Sequence, residues 1–161
     1  MPDRRVLSAA GLQIREAELK AALEIRELFA QGVLQHDREL SVDRPDGFNM
    51  NIVSDETECG TTCCIGGWMF RAMERDRTAP CATAAEYVQR ASSRALYPLF
   101  FPLQDQRRQW MVDTDGHTYD GPEYIDIAPS QALEAMDNFL ATGDPNWPRV
   151  LHLENIEVAR A

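Results

Sequence analysis

The stretch that decides the fold is Glu58-Cys59-Gly60-Thr61-Thr62-Cys63-Cys64-Ile65-Gly66-Gly67-Trp68. It holds three of the four cysteines and leads into Cys64, Ile65, Trp68, Met69, Ala72 and Met73, apolar residues three and four apart. This spacing predicts a helix over 61–75, with the hydroxyl of Thr61 or Thr62 taking a free backbone N–H at its start. Gly66 and Gly67 stand inside that helix. Each costs about 1 kcal/mol relative to Ala, so the pair predicts another backbone passing close to that turn.

Working outward, the apolar residues between Ala9 and Leu34, among them Leu12, Ala22, Ile25 and Phe29, predict a long amphipathic helix ending near Gly32. Phe48, Met50 and Ile52 alternate as in a short extended strand. Thr83 and Glu86 have capping-box spacing and predict a third helix running to about Ser92. Pro98 and Pro102 make 96–103 a buried irregular corner or short helical turn. The Asp115-Gly116 pair between the apolar positions of 109–127 predicts a two-stranded ribbon. Pro129 opens a last helix that stops before Gly143. The expected architecture is α+β and mainly α-helical, with about four helices and a small two-stranded β-ribbon.

The chain has 161 residues, and 16 Lys plus Arg against 26 Asp plus Glu leave a net charge of −10, with 44% hydrophobic residues. That length and apolar content fit a single globular domain over 1–161, with 1–8 expected to be disordered. No stretch approaches the roughly 18 consecutive apolar residues of a membrane helix. The acidic balance argues against direct nucleic-acid binding, because phosphate contacts need clustered cations. The first ten residues lack the apolar core of a secretory signal, so a cytoplasmic location is expected. In that compartment the cysteines are read first as free thiols rather than a disulfide framework.

Four readings of the cysteine segment compete. In the first, the thiols are structural: Cys64 packs on the helix stripe and Cys59 fills the turn. In the second, a thiol at a helix start is a nucleophile, since free N–H groups there stabilise a thiolate. Cys63 is then the best placed, Cys59 the alternative, and His117 the candidate base. Cys59-Gly60 with the later Trp68 resembles in part the Cys-Gly-Ser-Cys-Trp element of papain-like proteases, but the cysteines are spaced further apart and the tryptophan does not follow directly. In the third, Cys59, Cys64 and Cys81 supply part of a structural zinc site, although no second Cys-x-x-Cys or His-x3-His pair exists. In the fourth, Cys59 forms a reversible disulfide with Cys63 or Cys64.

The string Cys59-Gly60-Thr61-x-x-Cys64-Ile65-x-Gly67 resembles the signature of a family of small uncharacterised proteins of bacterial and phage genomes. The likeness continues through Phe48-x-Met50, Leu99-Phe100, Pro129-x-Gln131-Ala132, Gly143 and Trp147, over about two-thirds of the chain. It implies that Cys59 and Cys64 are the shared pair, with Cys63 peculiar to this chain. No activity, substrate or cofactor comes with it.

From Gln109 to Pro148 the eight carboxylates Asp113, Asp115, Asp120, Glu123, Asp126, Glu134, Asp137 and Asp144 occur without any Lys or Arg. Such a run either simply solvates the surface or docks a basic protein. Asp113, Asp115, Asp120, Glu123 and Asp126 are the candidate binding residues. Asp113-Thr114-Asp115-Gly116-His117 hints at calcium, but Thr118 and Tyr124 stand where an EF-hand loop needs Gly and Glu. Phosphate loops, nucleotide fingerprints and zinc-protease helices do not occur in the sequence. The expectation is a cytoplasmic accessory protein, related to phage proteins, that binds another protein through its acidic face and needs no cofactor. The rival readings are a thiol-dependent enzyme and a structural zinc protein.

Overall fold

The structure is a computed structural model that describes residues 5–38, 46–53, 55–57, 60–102 and 123–152. Its helices are α1 (Ala9–Leu12), α2 (Glu16–Ala30), α3 (Ile65–Arg75), α4 (Ala84–Glu86), α5 (Tyr97–Phe100), α6 (Pro129–Thr142) and α7 (Trp147–Val150). The strands are β1 (Gln35–His36), β2 (Gly47–Phe48), β3 (Asp55–Thr57) and β4 (Gly60–Cys63). The α+β, mainly helical expectation holds at that level. Its detail does not: among the described residues there are seven α-helical segments, and the sheet has four strands in the order β1-β2-β4-β3.

The first predicted helix is two. Gln13 adopts a left-handed conformation (φ 59°), and the Ile14 N–H bonds back to the Ala9 carbonyl at 3.0 Å, closing α1 after one turn. The chain restarts at Arg15, whose N–H donates to the Glu18 carboxylate at 2.9 Å, the return arm of a capping box. Helix α2 ends as expected at Gly32 (φ 70°), where Gly32 and Val33 N–H groups bond to the Phe29 and Leu28 carbonyls in a Schellman motif. Residues 5–8, expected to be disordered, are tied in: the Leu7 N–H donates to the Leu140 carbonyl at 2.9 Å, and the Ser8 hydroxyl caps α1.

The decisive stretch is half strand and half helix. Residues 60–63 form β4, which pairs parallel with β2 (Phe48 opposite Cys63) and antiparallel with β3 (Thr57 opposite Gly60). The helix starts only at Ile65, with Cys64 as its N-cap. Thr61 and Thr62, expected to cap a helix, are β-branched residues that the sheet takes instead. The expectation of a close backbone holds at Gly67, while Gly66 meets side chains instead. A Cβ on Gly67 would lie 1.8 Å from the Val53 carbonyl oxygen, and one on Gly66 would lie 2.7 Å from the Val88 Cγ2. The 49–53 segment crosses the first turn of α3, and the Cys64 N–H donates to the Ile52 carbonyl at 2.6 Å.

The ribbon predicted over 109–127 lies mostly outside the described residues. Its last part, Tyr124–Asp126, is a 3-10 turn rather than a strand. The sheet is built instead from 35–63, in strands of two to four residues too short to show alternation. Thr83 caps α4 through a 3.2 Å bond from the Glu86 N–H, as expected, and α4 widens into a π-helical turn over Tyr87–Ala91. Residues 94–100 are a 3-10 turn followed by α5, the predicted apolar corner. Helix α6 ends at Gly143 (φ 84°).

The buried apolar residues form one cluster, with α3 packed against α2 on one side and against α4 and α5 on another. Phe48 of β2 stands edge-on to Phe29 of α2, with ring centres 4.9 Å apart. Trp68 and Trp147 are core anchors as expected, and each indole N–H is satisfied: Trp68 donates to the Gly47 carbonyl and Trp147 to that of Pro98, both at 2.9 Å. Trp110 lies outside the described residues.

Candidate functional site

The cysteine segment joins a strand to a helix. Cys63 ends β4 fully buried, and its carbonyl accepts from the Asn49 N–H at 3.2 Å. It is therefore not in the first helical turn, where the nucleophile reading needs it. Cys64 is 3% exposed, and its Sγ accepts from the Gly67 N–H at 3.4 Å, as a capping Ser or Asn oxygen would. Burial pushes the Cys64 thiol up, and the opposing pull of the Gly67 and Gly66 N–H groups does not overcome it. A buried thiol held protonated is a poor nucleophile. Of the other signature residues, Ile65 is fully buried and Gly67 lies against the Val53 carbonyl. Each has a packing reason to be what it is.

Cys59 and His117, the other members of the proposed thiol chemistry, lie outside the described residues. The half-buried Cys81 stands before α4, its thiol donating to the Thr83 carbonyl at 3.4 Å, and burial raises its pKa. Among the described residues, no group of three or more His, Cys, Asp or Glu is placed to hold a metal ion. His36 bonds through Nε2 to the Ile125 carbonyl at 2.8 Å, which ties β1 to the 124–126 turn.

Two buried polar groups were not anticipated from the sequence. Asp37, 2% exposed, follows β1 and accepts from the Thr62 hydroxyl at 2.7 Å, while the Asn49 amide donates to the Asp37 carbonyl at 3.0 Å. This pair covers Gly47, where a Cβ would lie 2.2 Å from the Thr62 Oγ1. The second group is centred on Glu18, fully buried near the start of α2. Its carboxylate accepts from the Arg15 N–H and guanidinium, the Tyr87 hydroxyl at 3.1 Å, the Ser93 N–H at 2.9 Å and the Ser93 hydroxyl. Burial, and then the Glu18 charge, push the Tyr87 phenol far up, so it stays a donor. With these donors satisfied, the cluster works as a clamp between α2 and the 87–93 segment. The signal was in the sequence: Glu18 lies in register with Ala21, Ala22, Ile25 and Phe29 on the buried face of α2.

Of the candidate binding carboxylates, Asp113, Asp115 and Asp120 lie outside the described residues. Glu123 and Asp126 are exposed on the 3-10 turn beside β1, and Asp126 meets Arg38 at 2.5 Å. Glu134 on α6 and Asp144 beyond it are exposed. Asp137 is drawn inward to Arg26 at 2.7 Å, pinning α6 to α2. Two surface grooves are formed by described residues. One, of about 460 Å³, lies between α2 and α3 over Ile25, Trp68 and Ala72; the other, of about 240 Å³, lies among Pro98, Phe101, Asp144 and Trp147. No described helix is long and apolar enough to cross a membrane.

Comparison with protein-family models, with curated proteins and with solved structures finds no match.

Proposed function

We propose that this chain is a small acidic interaction protein that binds a basic macromolecular partner through carboxylates of the 113–144 segment, the exposed Glu123, Glu134 and Asp144 among them. The observation that carries the reading is the charge pattern: eight carboxylates and no cation over residues 109–148. The exposure of Glu123, Glu134 and Asp144 supports it, since three separate turns of chain then present the same sign to solvent. Asp126 contributes less because Arg38 neutralises it. A basic protein whose own ligand is a nucleic acid fits this surface as an acidic substitute for that ligand. On this proposal the protein acts in the cytoplasm as an accessory factor. The buried, protonated Cys64 and the buried Cys63 lend no support to a thiol-dependent enzyme built on either residue.

The test is affinity capture from the producing cells, followed by binding of the purified partner across a range of salt concentrations. Glu123→Lys/Glu134→Lys/Asp144→Lys is expected to weaken binding by about tenfold or more, roughly 1.4 kcal/mol, and to flatten the salt dependence. A control with the same charge change elsewhere, Glu16→Lys/Glu74→Lys/Glu86→Lys, should bind closer to the parent. Equal affinity of the parent and the first variant would overturn the proposal.

A further inference from the structure

We draw no further inference here: the strongest candidate, the surface groove between α2 and α3 floored by Ile25, Trp68 and Ala72 and rimmed by Glu24, Arg71 and Arg75, carries both signs of charge at its rim and nothing in the structure shows what covers it.

Discussion

Replacing Gly67 by Ala tests how the strand-to-helix joint is built. In an open helix the change gains about 1 kcal/mol of propensity. Here the new methyl would sit 1.8 Å from the Val53 carbonyl oxygen and 2.9 Å from the Cys63 Cβ, where real contacts stay beyond 3.0 Å. Relief requires more than an ångström of movement by one of two backbones. They are tied together by the 2.6 Å bond from the Cys64 N–H to the Ile52 carbonyl. Overpacking costs typically 1–3 kcal/mol, and a rigid carbonyl puts this site near the upper end, about 3 kcal/mol. The net loss is then about 2 kcal/mol, or roughly 4–8 °C in Tm for a chain of this size. Urea and thermal unfolding followed by circular dichroism measure it directly. Gly66→Ala is the comparison: its methyl would meet side chains rather than backbone, Val88 Cγ2 at 2.7 Å and the Phe100 ring at 3.3 Å, so its cost should be smaller than that of Gly67→Ala. A Gly67→Ala protein as stable as the parent, or more stable, would refute the close approach and with it the joint.

Other substitutions probe the remaining supports. Glu18→Ala leaves the Tyr87 hydroxyl, the Ser93 N–H and the Arg15 guanidinium without their buried acceptor, and should destabilise the fold by about 3–5 kcal/mol in urea unfolding. A loss below about 1 kcal/mol would show that the clamp does not form. Cys64→Ser keeps a capping acceptor and should stay within about 1 kcal/mol of the parent, whereas Cys64→Ala should cost about 1 kcal/mol or more; the reverse order would argue against the cap. Glu24, held below its usual value by the Arg75 guanidinium, adds stability that is present above the ordinary carboxylate pKa and lost as pH falls through its lower folded value. The pair is largely exposed, so the effect should be small, shrink with salt and disappear in Glu24→Gln.

Helices α2, α4 and α6 were legible because punctuation marks their ends: Gly32, Thr83, Pro129 and Gly143 all stand where the expectation put them. The break at Gln13 was not, since no Gly or Pro marks it and the left-handed turn is sustained by backbone bonds alone. The sheet was hidden for a different reason. Gln35–His36 is too short for a period of two to register, the extended strand expected over Phe48, Met50 and Ile52 stops at Phe48, and the β1–β2 pairing joins separate segments. Thr61 and Thr62 were misread because the same residue type serves a helix cap and a strand, and only the partners in β2 and β3 decide between them. At the cysteine site, the glycines announced a close approach, while the capping role of Cys64 was masked by sulfur being an unusual cap.

The most direct test of the central claim, that Cys63 and Cys64 are buried parts of the strand-to-helix joint rather than reactive thiols, is alkylation of the folded protein across pH, resolved cysteine by cysteine by mass. The account predicts that Cys63 and Cys64 stay unmodified at neutral pH until urea unfolds the chain, and that Cys81 reacts slowly, faster as pH rises. Rapid labelling of Cys63 or Cys64 in the folded state would contradict it and return the cysteine segment to the thiol-dependent enzyme.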